Sequence, residues 1–281
     1  MKHAALLILS ALTLASCSAP RTPAAPAGQV AYGLGGNTLY TFGLDNPQAS
    51  LSSLSINGLG AGETLVDLDV RNTDGQLYGV TGSGKVYRID PATGWSTDDS
   101  SVALNGKSAV AVDFNPAANR LRVIGTDDAN YRHTLAATPV PATGGTTADG
   151  TFAYGPTDAN AGRNPNLVAA AYTNSFNDTG KANSGQPTTL YSVDADLDAL
   201  ITHPAAGGPT FNTLQTVGAL GVDVMAGKTG FDIAGANTAL LSSAGASGTT
   251  LYTVDLTTGK ATAKGNLNVM LGSVALKLAT P

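Results

Sequence analysis

Three aspartates stand at one recurring spacing: Asp69, Asp113 and Asp232 each precede a leucine (Leu77, Leu121, Leu240) by eight residues. Carboxylates that recur in register can do one of two things. A pair in unlike environments, one protonated and one ionised, is the equipment of glycoside hydrolysis. A set in like environments serves as a repeated hydrogen-bond acceptor, capping each strand onto its neighbour's backbone. Recurrence at one position favours the second role, because an acid and a base must differ. A carbohydrate-active hydrolase using Asp69, Asp113 and Asp232 is carried as the alternative.

A second group of polar residues lies in "PTDANAGRNPNLVAAAYTN", residues 156–174. Asp158, Asn160, Asn164 and Asn174 offer hard oxygens of the kind Ca²⁺ takes, and Gly162 permits a left-handed turn. The expected ligand-binding residues are these four, with Asp158 and Asn160 the candidate calcium ligands. The competing reading is a network of Asx turns that satisfies the backbone of a long loop.

Other patterns carry less. "GVTGSGK", Gly79–Lys85, has the letters of a phosphate loop, but Val86-Tyr87 opens a strand where that motif needs a hydroxyl residue and a helix. "DADLD", Asp194–Asp198, lacks the glycine of a calcium hand and reads as a turn. Beyond the leader the only histidines are His133, expected in a strand, and His203, expected in a loop before Pro204. No G-x-S-x-G elbow occurs, so no local signal proposes a nucleophile.

The first residues, "MKHAALLILSALTLASC", read as a leader. Lys2 is followed by an apolar run too short to span a bilayer, and Leu14-Ala15-Ser16-Cys17 then resembles the lipobox of bacterial lipoproteins. Cys17, the only cysteine, is the expected lipidation site, and residues 1–17 the signal segment. Residues 18–29, with Pro20, Pro23 and Pro26, read as an extended tether reaching roughly 40 Å at about 3.1 Å per residue. Ser18 after the acylated position points to the outer membrane if the source has one. A net charge of −5 with no basic cluster excludes nucleic acid as a partner.

The elements that must position these residues emerge from a repeat. "NRLRVIGTDDANYRHT" (119–134) can be laid over "GQLYGVTGSGKVYRID" (75–90), Leu121 on Leu77 and Tyr131 on Tyr87. Tyr40, Tyr87, Tyr131, Tyr191 and Tyr252 mark five units, spaced 47, 44, 60 and 61 residues apart. Within a unit, alternating or continuous apolar runs such as "LVDLDV" and "AVAVDF" are divided by Asn, Asp, Gly and Pro, the pattern of short antiparallel strands. Strong helix formers are scarce: the chain has 34 glycines and one glutamate, Glu63. Four strands per unit predicts an all-β, five-bladed β-propeller over residues 30–281. The first unit lacks an innermost strand and "LGSVALKLATP" follows the last, so the C-terminal strand is expected to close the ring. The surplus between the later tyrosines holds "DANAGRNP", expected to be ordered, and "FNDTGKANSGQP", expected to be a flexible tip.

At "VDFNPAANRLRVIG", "DANAGRNPNLVAAAYTNS" and "TLYSVDADLDAL" the sequence resembles a family of exported bacterial proteins, domain-of-unknown-function family 4394. The resemblance implies an exported β-rich domain and brings no activity with it. Together these readings point to a non-catalytic binding or scaffolding module of the cell envelope, a lipid-anchored monomer with an envelope protein or glycan as partner.

Overall fold

The computed structural model describes residues 22–136, 145–205 and 210–279; Cys17 and the leader lie outside them. The chain forms a five-bladed β-propeller, each blade a four-stranded antiparallel sheet with its innermost strand at the central channel, to which blade four adds one short parallel strand at its outer edge. Blade one contains β1 (Val30–Gly35), β2 (Thr38–Gly43) and β3 (Ser52–Ser55). Blade two contains β4 (Leu65–Val70), β5 (Leu77–Thr81), β6 (Lys85–Ile89) and β7 (Ser96–Ser101). Blade three contains β8 (Ala109–Asn115), β9 (Arg120–Gly125), β10 (Ala129–His133) and β11 (Thr146–Thr151). Blade four follows β12 (Ala153–Tyr154) with β13 (Leu167–Tyr172), β14 (Leu190–Asp194), β15 (Ala199–His203) and β16 (Thr213–Ala219). Blade five has β17 (Thr229–Ala234), β18 (Thr238–Gly245), β19 (Gly248–Val254) and β20 (Ala261–Leu267). The last strand, β21 (Ser273–Leu276), returns to blade one and pairs with β1, Ala31 opposite Leu276. Closure by the C-terminus is as the sequence predicts, and it leaves no central edge to protect. The single helical element among the described residues is one turn, α1 (Pro47–Ser50).

The innermost strands β4, β8, β13, β17 and β21 are buried almost throughout, which explains their continuous runs of Val, Leu, Ile, Ala and Phe. Between neighbouring blades the apolar side chains form separate cores: Val80, Phe114 and Tyr131 between blades two and three, and Ile124, Tyr172 and Leu214 between three and four. Small residues let the inner strands approach. A Cβ on Gly230 would sit 2.4 Å from the Val274 amide nitrogen, so only glycine fits where blade five meets the closing strand. The phosphate-loop lookalike is a hairpin turn between β5 and β6, with Gly84 at φ +90°.

Three expectations are corrected. Tyr40, Tyr87, Tyr131 and Tyr252 sit on the third strand of their blades, but Tyr191 is on β14, the second. A Leu-Tyr strand ending in an Asp turn fits either hairpin of a blade, and Asp194 closes the β14–β15 turn. The surplus therefore falls wholly before Tyr191, part of it ahead of β13 and part between β13 and β14, inside blade four. His203 ends β15 instead of lying in a loop. Finally, the segment expected as a flexible tip is a strap across the channel, described below.

In its described part, from Thr22, the tether segment is hydrogen-bonded to blade one, with Ala24 N–H on Ala49 O at 2.8 Å and Ala27 N–H on Asn46 Oδ1 at 2.9 Å.

Candidate functional site

The inner strands run in one direction, so equal positions on them share one height in the channel. Asp69 on β4, Asp113 on β8 and Asp232 on β17 meet there, with carboxylate oxygens within 4.8 Å of one another and each residue about 4 % exposed. Ala171 on β13 and Ala275 on β21 hold the same register and leave room for them. Each carboxylate accepts a backbone N–H from the next blade: Asp69 from Phe114 at 2.6 Å, Asp113 from Tyr172 at 2.9 Å, Asp232 from Leu276 at 2.5 Å. Asp69 and Asp232 also accept from the following residue of their own strand, Val70 and Ile233, both at 2.6 Å. Two residues earlier, where other strands carry Ala111, Ala169, Gly230 and Ser273, β4 has Asp67. It accepts Val112 N–H at 2.7 Å and the Ser273 hydroxyl, joining blades three and one to blade two. The aspartates are latches between blades, the capping role read from their recurrence.

Burial dominates their electrostatics. Desolvation, opposed by the Ser273 and backbone hydrogen bonds, pushes Asp67 up to about 7. It pushes Asp232 up to about 6. Asp69 and Asp113 are held well above the ordinary carboxylate value by burial and then by repulsion from the other acids. Such a trio can share protons or enclose a cation. It does not have the layout of a glycosidase pair, whose two carboxyls flank a bound substrate. Here three crowd inside 4.8 Å with almost no exposure. The hydrolase alternative is not supported.

The latch geometry separates Asp113 from Asp69 by substitution. Asp113→Asn keeps Oδ1 on the Tyr172 amide and turns an NH₂ towards two acids, so at pH 8 it should stabilise the fold by about 1 kcal/mol. Asp69→Asn sets an NH₂ against the Val70 or Phe114 N–H and should cost about 1–3 kcal/mol. Urea melts of both variants check the order, and equal losses would contradict the latch assignment.

One end of the channel is covered. Residues 173–189, between β13 and β14, run across it and bond to every other blade. Asn174 N–H donates to Gly235 O (2.7 Å), Asn177 to Ala279 O (2.9 Å), Asp178 to Asn72 O (2.8 Å) and Ser184 to Pro116 O (2.8 Å). The opposite end is open. A cavity of about 480 Å³ there is walled by Leu34, Leu65, Val110, Val168 and Leu271, with Asp67 at its floor. Lys228 also lines it, as does Met270, which is half exposed.

The loop residues expected to bind a ligand lie elsewhere. Asp158 accepts the Thr216 N–H (2.7 Å), the Thr216 hydroxyl (2.9 Å) and the Asn160 N–H (2.8 Å). Partial burial raises its carboxyl, but the hydrogen bonds from Thr216 and Asn160 outweigh burial and hold it below the usual value. Asn160 also donates to Thr216, whereas Asn164 bonds the Pro165 carbonyl and Asn174 the Pro187 carbonyl. The loop is thus pinned to β16 by Asx-type bonds, and only Asp158 and Asn160 of the four come together.

A Ser–His pair escaped the sequence reading, because its members sit on paired strands with no motif between them. Ser192 Oγ lies 2.7 Å from His203 Nε2, and His203 Nδ1 lies 2.8 Å from the Phe211 carbonyl oxygen. Both side chains are fully buried, and desolvation pushes the imidazole down to about 3, so it cannot act as a base near neutrality. His133 is likewise structural, bonded to Thr146 and Ser100.

A family model described as Domain of unknown function (DUF4394) matches residues 38–276. The chain belongs to the DUF4394 family. Among solved structures, this DUF4394 chain is similar to one titled as a nidogen/laminin complex, at 10% identity and a TM-score of 0.51, covering 90% of this chain and 100% of that one. It is also similar to a protein of unknown function from Bacteroides thetaiotaomicron VPI-5482, at 13% identity and a TM-score of 0.48, covering 84% of this chain; the DUF4394 chain spans 57% of that protein's length. No curated protein matches it. Among the described residues no helix is long and apolar enough to cross a membrane.

Proposed function

We propose that the chain is a non-catalytic binding module of the cell envelope, lipid-anchored at Cys17, whose ligand occupies the open end of the channel. The observation that carries the reading is the asymmetry of the channel. The strap covers one end, the latched carboxylates fill the middle, and the other end opens into a cavity of about 480 Å³ with apolar walls. That volume lies within the usual range of small-ligand sites, about 300–1,000 Å³. The walls favour an apolar group, and Asp67 at the floor favours one that carries a hydrogen-bond donor. Against catalysis stand the engagement of the aspartates with backbone amides and the burial of the Ser–His pair.

The neutral fluorophore N-phenyl-1-naphthylamine is a suitable probe. Saturable binding at one site is expected, lost in Val110→Trp, which fills the mouth from β8, while the melting temperature stays unchanged. Binding that survives Val110→Trp would remove the mouth as the site. Turnover of any glycan in a substrate panel, abolished by Asp113→Asn, would overturn the non-catalytic reading. Cys17→Ala should release the protein from membranes.

A further inference from the structure

The repeat that reveals the fold contains three arginines that the latches and the channel do not use. Arg120 and Arg122 are two apart on β9 and so share a face; Arg132 on β10 pairs directly with Arg122 across the sheet. All three line one small cavity of about 120 Å³ between blades three and four, together with Asn115, Ala118 and Tyr172. Like charges opposed across strands are destabilising unless something compensates them. One carboxylate does so in part. Asp149 accepts from Arg122 at 2.6 Å and from Arg132 at 2.6 and 2.8 Å. Arg122 is held further by Asn130 at 2.6 Å, by the Tyr172 hydroxyl at 3.0 Å, and by the Phe211 ring beneath its guanidinium at 5.6 Å. Arg122 and Arg132 are thereby fixed in place.

Arg120 differs. It is half-buried, lines the same cavity, and forms no ion pair among the described residues. Among the described residues no carboxylate lines the cavity. Asp113, in register with Arg122, has its oxygens in the channel trio. The ion pairs described for these guanidinium groups all go to one carboxylate, Asp149, in a protein whose net charge is −5. The side chains around the cavity are mainly hydrogen-bond donors, and its volume equals that of about four water molecules. Such a space suits one compact oxyanion, which guanidinium forks bind through paired N–H groups.

We propose that this cavity binds a phosphate-sized oxyanion, with Arg122 and Arg132 as its fixed walls and Arg120 as the group that completes it. The test is thermal denaturation of the full chain in inorganic phosphate, in glycerol 3-phosphate, and in sodium chloride of matched ionic strength. Ten-millimolar phosphate is expected to raise the wild-type melting temperature by about 3 °C or more above the chloride control, saturably. Arg120→Ala should abolish that difference without lowering the melting temperature in chloride, because it removes an uncompensated charge. Arg120→Lys keeps the charge and loses the fork, so several-fold weaker binding is expected. An equal response to glycerol 3-phosphate would identify a phosphomonoester, as in a lipid headgroup, as the ligand class; a response to inorganic phosphate alone would identify the free ion. Equal shifts in phosphate and chloride would overturn the proposal. So would a full phosphate shift in Arg120→Ala, or a loss of stability in that variant equal in both salts.

Discussion

Deleting residues 273–281 should abolish cooperative folding, not merely trim a terminus. The deletion removes β21, the innermost strand of blade one, whose residues Ser273–Leu276 are all buried. Loss of Val274 and Leu276 forfeits about 1.5–3 kcal/mol each in apolar burial. Two latches fail at once, because Asp232 loses the Leu276 amide and Asp67 loses the Ser273 hydroxyl. A buried acceptor left without its partner costs about 1–3 kcal/mol, more if charged. The combined loss is comparable to the whole stability of a typical domain, about 5–15 kcal/mol. Circular dichroism and calorimetry should show no two-state transition for the truncated chain. A melt like that of the intact protein would mean that the ring does not depend on its closing strand.

The second large effect is an inverted pH dependence. In the unfolded chain an aspartate titrates near 3.8, whereas in the folded state Asp67 is raised to about 7 and Asp232 to about 6. Between these values the folded state binds more protons than the unfolded state, so stability falls as pH rises. The contribution is fully present below about pH 4 and lost by about pH 7. At about 1.36 kcal/mol per unit, the fall from pH 5 to pH 8 is on the order of 3–4 kcal/mol, or about 10 °C in melting temperature for a chain of this size. Asp113→Asn should flatten the profile, and the curves in EDTA and in millimolar Ca²⁺ should coincide. A melting temperature that rises from pH 5 to pH 8, or rises with Ca²⁺ at pH 8 alone, would show that the trio is ionised and held by a cation.

Sequence legibility followed periodicity. The recurring eight-residue step from Asp to Leu put Asp69, Asp113 and Asp232 on equivalent strands, and equivalence was enough to place them together. The missing strand of the first unit and the extra strand at the end were complementary, so closure could be read directly. What periodicity could not convey was the identity of a strand within a blade. Tyr191 looked like its counterparts because any two-residue-period strand with a polar stop has that appearance. Nor did it show where an aperiodic insertion goes. The strap of residues 173–189 is rich in Asn, Ser, Gly and Thr, the composition of a mobile loop, yet its backbone groups find carbonyls on four other blades. The arginine cavity and the Ser192–His203 pair depend on side chains meeting across strands or blades, and no local spacing encodes that.

Because blade one is completed by a strand about 240 residues beyond its own β1, the ring cannot shut until all five blades exist. Until then β1 presents an unpaired edge, and Asp67 awaits the Ser273 hydroxyl from the far side of the sequence. Contacts this remote in sequence are slow to form. The topology thus acts as a timer that postpones the native state.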